Sequence, residues 1–271
     1  NKELNIIMLH KIINKIIQWV HEIRARKVAF ATPFVIYAFF VVDWIWLLSG
    51  FMFYWVAKSI FIATYHEYQV HKWIRPKYKF IELLGWLLTA IWEQQSPYNK
   101  CRFHFLHHTF GNDPKKDPTQ AKIDLTENAL LYHFDLTPHA SLENLPQMPD
   151  DEVDPNPMFD WFNKHWYKVF FATISIWLIT LPFWTFLAFF IFPVWIWGII
   201  YRYTDWWWHK LNNSDPNWMV FLIGTHAWHN YHHKYSNYGT DKKVKEVYLG
   251  PKPWKYFNID FYIQKLLYKP Y

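Results

Sequence analysis

From Val28 to Tyr65 the chain is almost wholly apolar, and a second such block runs from Val169 to Tyr201. A bilayer core takes roughly 20 helical residues per crossing, so runs of this length predict membrane spans. The first is long enough for two spans joined by a tight turn near Ser49-Gly50. The second, with breaks at Pro182 and Pro193, reads as another hairpin, or as one tilted span plus an interfacial helix. Ile81 to Trp92 is too short to span and is placed as a cap or interfacial helix. The mean hydropathy of −0.15 averages these runs with a very polar remainder. An aromatic content of 23%, with 24 Phe, 19 Trp and 18 Tyr, suits a protein whose indoles line interfaces and apolar cavities.

Charge sets the orientation. The turns expected around Ser49-Gly50 and Leu181-Pro182 contain no Lys or Arg. The basic residues gather in the N-terminal segment, the 66–168 loop and the C-terminal region. By the positive-inside rule these lie on the cytosolic or an equivalent side. Residues 1–27 read as an amphipathic surface helix ending in Arg24, Arg26 and Lys27. The expected organisation is one membrane domain over 1–271. It comprises the surface helix (1–27), a first hairpin (28–65), a cap (66–168), a second hairpin (169–204) and a second part of the cap (205–271). Within the cap, 143–160 reads as an irregular linker. The chain opens on Asn1, so a natural N-terminus is expected upstream and targeting is not readable.

The formal charge of +6 allows nucleic acid, anionic lipid or an acidic protein as partner. Nucleic acid fits worst, because the aromatics sit in apolar runs rather than among basic residues. The single cysteine, Cys101, excludes an internal disulfide and a thiolate zinc site. No Gly-rich nucleotide loop is present.

Most of the fifteen histidines fall into four groups: His66/His71, His104/His107/His108, Asp205 with His209, and His229/His232/His233, preceded by His226. Residues three and four apart share a helix face, so each of the last three groups can aim side chains at one place. His66 and His71, five apart, lie about 140° round an ideal helix. They reach two different metals, or one metal through a distorted turn. Nine imidazoles exceed the four to six positions of one ion, which calls for two. For any single histidine a surface role is the better explanation. It fails for separate groups with the same stagger that all emerge at one membrane face. His10, His21, His133, His139 and His165 have no partner at ligand spacing.

These groups resemble the membrane fatty acyl desaturase family, typified by acyl-CoA desaturases. Its marks are His-x4-His, two His-x2-His-His boxes, and a polar residue four before a further histidine. Gln95-Ser96-Pro97 is similar to the family's Gly-Ser-Pro, Asp117-Pro118 to its Asp-Pro, and Trp228-His229-Asn-Tyr-His232-His233 to its Trp-His-Asn-Phe-His-His. Trp254 to Leu267, with Asn258-Ile259-Asp260, is similar to its last helix. The resemblance covers nearly the whole chain. It implies an all-α integral membrane fold with four transmembrane helices in two hairpins. A cytosolic-side helical cap would hold two irons on His66, His71, His104, His107, His108, His209, His229, His232 and His233, with Asp205 beside the second. Asp205 stands where acyl-CoA desaturases usually carry Asn, and a carboxylate can bind directly. Arg102-Phe103 replaces the family's Arg-Asp, which helps hold coenzyme A, and Ala63-Thr64-Tyr65 replaces its small residues. Acyl-CoA and acyl-lipid both remain as substrates.

The activity expected from this resemblance is O2-dependent insertion of a double bond into a fatty acyl chain. Arg102 and Trp206, Trp207 and Trp208 are candidate substrate contacts; for each indole, packing or an interface belt competes. Electrons would come from an external donor such as cytochrome b5 or a ferredoxin, which the basic face can dock, although a solvated charged face reads equally well. The expected location is the endoplasmic reticulum with a cytosolic site, or a mitochondrial inner or bacterial plasma membrane. Three other readings stand beside it: a membrane hydroxylase of fatty acid, sterol or alkane; a non-catalytic subunit of a membrane complex; and a metal store or transporter. The last would need ionisable residues within the spans, where Asp43 and Lys58 are the evident ones.

Overall fold

The computed structural model describes residues 11–12, 15, 26–111, 113, 115–119, 146–149, 156–210, 215–229, 232–233 and 254–270. Almost all of the expected surface helix over 1–27, much of the 143–160 linker, and His10, His21, His133 and His139 lie outside the described residues.

Helix α1 spans Lys27–Val41 and α2 spans Trp44–Ile62. The turn between them is not at Ser49-Gly50. It falls at Val42 and Asp43, both extended, with Asp43 at the N-cap of α2. Gly50 instead lies inside α2, where a Cβ would sit 1.9 Å from the backbone oxygen of Ala188. The glycine that reads as a turn in sequence is a point where two helices touch backbone to backbone.

Helix α2 continues into a π-helical segment, Ala63–Val70. Strand β1 (Ile74–Pro76), α3 (Lys79–Glu93) and α4 (Pro97–Thr109) follow. Helix α5 (Pro157–Thr180) starts earlier than the apolar block that marked the second hairpin, because Asn156 caps it and Pro157 occupies its first position. The break at Leu181-Pro182 is present. Beyond it, α6 (Phe183–Phe186) runs through a π turn (Leu187–Ile191) into α7 (Phe192–Asp205) and a second π turn (Trp206–Lys210). Pro193 is absorbed without breaking this helix, near the start of α7.

Two continuous helices, Trp44–Val70 and Phe183–His209, are 27 residues each and are long and apolar enough to cross a membrane. At 1.5 Å per residue each measures about 40 Å, against a hydrocarbon core of about 30 Å. Helix α1, at 15 residues, is shorter than a full crossing, and α5 carries Asp160, Lys164 and Lys168 in its first half. Both long helices deliver histidines from their C-terminal ends to one place, so they run in the same direction.

The C-terminal part comprises α8 (Val220–Ile223), a 3-10 segment (Gly224–Trp228), α9 (Ile259–Leu267) and strand β2 (Tyr268–Pro270). Strand β2 pairs antiparallel with β1, a small ribbon that an all-α reading does not contain. The largest buried cluster is aromatic, including Tyr54, Trp86, Trp92, Phe190 and Trp197.

Candidate metal centre

The histidines reach the site because each carrier segment has a local reason for its shape. Helix α4 begins where the sequence reads Gln95-Ser96-Pro97. Ser96 Oγ accepts from Asn99 N–H at 3.1 Å and Pro97 sits at the first helical position. His104 and His108 then share one face, while His107 points to another. The Ala63–Val70 segment winds with i→i+5 bonds, among them His71 N–H to His66 O at 3.0 Å. That winding brings positions five apart over one another. Of the two arrangements open to His66 and His71, the distorted turn is the one adopted.

Nine imidazoles converge in two sets: His66, His71, His104, His108 and His232 in the first, and His107, His209, His229 and His233 in the second. Within each set the donor nitrogens lie within 4.8 Å of one another, and each set can hold a metal ion. The two His-x2-His-His boxes divide reciprocally. The first gives two imidazoles to the first set and one to the second; the other gives one and two. The sets share a wall, where the His108 and His233 rings stack with centroids 4.3 Å apart.

Three Nε2 pairs face each other: His71 and His104 at 3.2 Å, His108 and His232 at 2.9 Å, and His209 and His229 at 2.9 Å. Two nitrogens bound to one ion at about 2.1 Å sit about 3.0 Å apart in octahedral and about 3.4 Å apart in tetrahedral geometry. The facing pairs therefore match edges of a coordination shell. Burial, reinforced by neighbouring imidazoles, holds His71, His104, His108, His229, His232 and His233 well below the ordinary imidazole range. They are neutral at pH 7, the form that binds metal.

Behind the donors stand orienting groups. Asp117, fully buried, lies 2.9 Å from His107 Nδ1 through Oδ1, the same oxygen that accepts from Thr119 N–H at 2.8 Å. This leaves His107 Nε2 for the second set, in the carboxylate–histidine–metal pattern. In sequence Asp117 stood out only as half of an Asp-Pro resemblance. Asp117→Ala is expected to weaken metal binding at the second set about 10–100-fold in chelator competition; unchanged affinity would reduce Asp117 to packing. At the first set, Glu67 Oε1 lies 2.9 Å from His66 Nδ1, too oblique for a hydrogen bond. Each set also has an indole stacked on one of its imidazoles: Trp73 on His71 at 4.4 Å and Trp208 on His229 at 4.6 Å.

Asp205 is buried at the end of α7 and is not among the nine donors. Arg102 is buried, and its Nε donates to Pro146 O at 2.8 Å. Trp208 is enclosed between His229 and the edge of His226, whereas Trp206 and Trp207 are half-buried. His226 stacks on Tyr201 at 4.6 Å and His165 packs against Trp161 at 5.0 Å, both outside the two sets. Comparison with protein families, curated proteins and solved structures finds no match to this chain.

Proposed function

We propose that this protein is a membrane-embedded, O2-dependent oxidase of lipid acyl chains, a fatty acyl desaturase whose two histidine sets hold two irons. The observation that carries the reading is the pair of adjacent all-imidazole sets at the ends of two parallel, membrane-length helices. The residues fit the group: six of the donors are held neutral, the facing Nε2 pairs are spaced like edges of a coordination shell, and imidazole suits iron that changes oxidation state. Removing hydrogen from an unactivated methylene needs an oxidant that side chains cannot supply, and two bound irons with O2 would supply it.

The chain's own residues keep that chemistry confined. Asp117 fixes the tautomer of His107, Trp73 and Trp208 fix ring planes of His71 and His229, and burial keeps bulk water from His71, His107, His108 and His229. On this reading α1 and α5 complete four spans. Large apolar side chains stand exposed along α1, the first half of α2 and the α5–α6 corner, with Phe40 82%, Trp44 72% and Ile179 83% exposed. An apolar surface of that kind calls for cover, and lipid provides it. Acyl-lipid or acyl-CoA is the substrate, and an external one-electron donor would supply the electrons.

Expression in a host lacking its own desaturase, followed by gas chromatography of total lipids, tests the activity. New unsaturated acyl chains that disappear with His107→Ala are expected. Hydroxylated chains would move the assignment to the hydroxylases, and an unchanged lipid profile from metal-loaded, reduced protein would sink both.

A further inference from the structure

Lys58 stands inside the first long apolar helix, fully buried, two turns before His66. An ionisable group within such a helix is costly and is retained where a partner and a task require it. Its Nζ donates to Ile223 O at 3.0 Å, lies 4.0 Å from Asp260 Oδ2 and sits 3.9 Å from the ring centroid of Trp197. Asp260, near the start of α9, is 2% exposed. Its Oδ2 accepts from Thr225 N–H at 2.9 Å and Thr225 Oγ at 3.2 Å, and its Oδ1 accepts from the Ser59 hydroxyl. The Asp260 N–H in turn donates to Asn258 Oδ1 at 3.0 Å.

These contacts converge on one turn. Ile223 O and Thr225 N–H flank Gly224, whose φ is +63°. A Cβ at Gly224 would lie 1.8 Å from Asp260 Oδ2, so the carboxylate fills the space that a side chain would take. Lys58 grips the backbone on one side of the glycine and Asp260 grips it on the other. Immediately beyond lies the segment that ends in His229.

We infer that Asp260, paired with Lys58, is a positioning residue that fixes the Gly224–Trp228 turn and thereby delivers His229 and His233 to the second histidine set. The inference rests on the metal-centre reading above. A buried ion pair adds little net stability over an apolar replacement, but it specifies one arrangement. Here that arrangement ties α2, which leads to His66, to the segment that carries His229. The second set takes two of its four donors from beyond the turn, His229 and His233, while the first takes one of five, His232. Loosening the turn therefore reaches the second set first.

The test is anaerobic Co2+ titration of metal-free protein in detergent, against a competing chelator, with helicity followed by circular dichroism. Wild type is expected to bind two ions. Asp260→Ala should weaken the second ion at least about tenfold, in line with the loss of orienting groups at other metal sites, and leave the first nearly unchanged. Asp260→Asn, which keeps an acceptor for Thr225 N–H, should fall between them. Should Asp260→Ala not fold, the selective weakening in Asp260→Asn carries the test. Two ions of wild-type affinity in both variants, or equal weakening of both ions, would overturn the positioning role. A wild type that binds no Co2+ would overturn the metal centre itself, and this inference with it.

Discussion

Replacing His107 with alanine is expected to reduce bound metal from two ions per chain to one and to abolish turnover, with the protein still in the membrane fraction. Among the described residues His107 is one of four donors in the second set, and it is 4% exposed. Alanine is the best helix former, so α4 persists and His104 and His108 stay on their face. The first set keeps all five donors. The corresponding change in the first set, His232→Ala, should cost less metal, because four imidazoles remain there, yet still abolish activity. Elemental analysis beside a turnover assay reads both; full turnover in either variant would remove that residue from the ligand set.

Gly50→Leu is expected to produce the largest loss of stability, and it does so at the end of the bundle far from the histidines. The atom that a Cβ would meet is backbone, Ala188 O at 1.9 Å, which cannot rotate aside as a side-chain terminus can. Inserting methylenes into a packed core ordinarily costs about 1–3 kcal/mol. At a backbone-to-backbone contact the two long helices must separate, so a loss above about 3 kcal/mol is expected. Thermal unfolding in detergent measures it. A melting temperature unchanged from wild type would show that α2 and the Leu187–Ile191 turn do not pack as described.

The same glycine shows what the sequence could and could not disclose. A Ser-Gly pair in the middle of an apolar run is compatible with a turn and with a close helix contact, and composition does not choose between them. Asp43, which read as an ionisable residue within a span, begins α2. The histidines were legible as clusters because spacings of three and four recur there, although only the four-residue pairs, His104/His108 and His229/His233, keep to one set. Their reciprocal division was not, since it depends on which segments approach each face of α4. Nor does any residue pattern announce the π winding that brings His66 and His71 together. Asp205 read as a ligand from its spacing to His209, yet the donors that gather around His209 are three other imidazoles. Lys58 and Asp260 lie about 200 residues apart in sequence, so only the folded chain reveals them as partners.

Metal analysis of protein purified from iron-replete cells probes the centre most directly. Two irons per chain with nitrogen-dominated coordination by X-ray absorption is the predicted result. Protein that is folded and membrane-bound but carries no transition metal, and takes up none on anaerobic reconstitution, would contradict it.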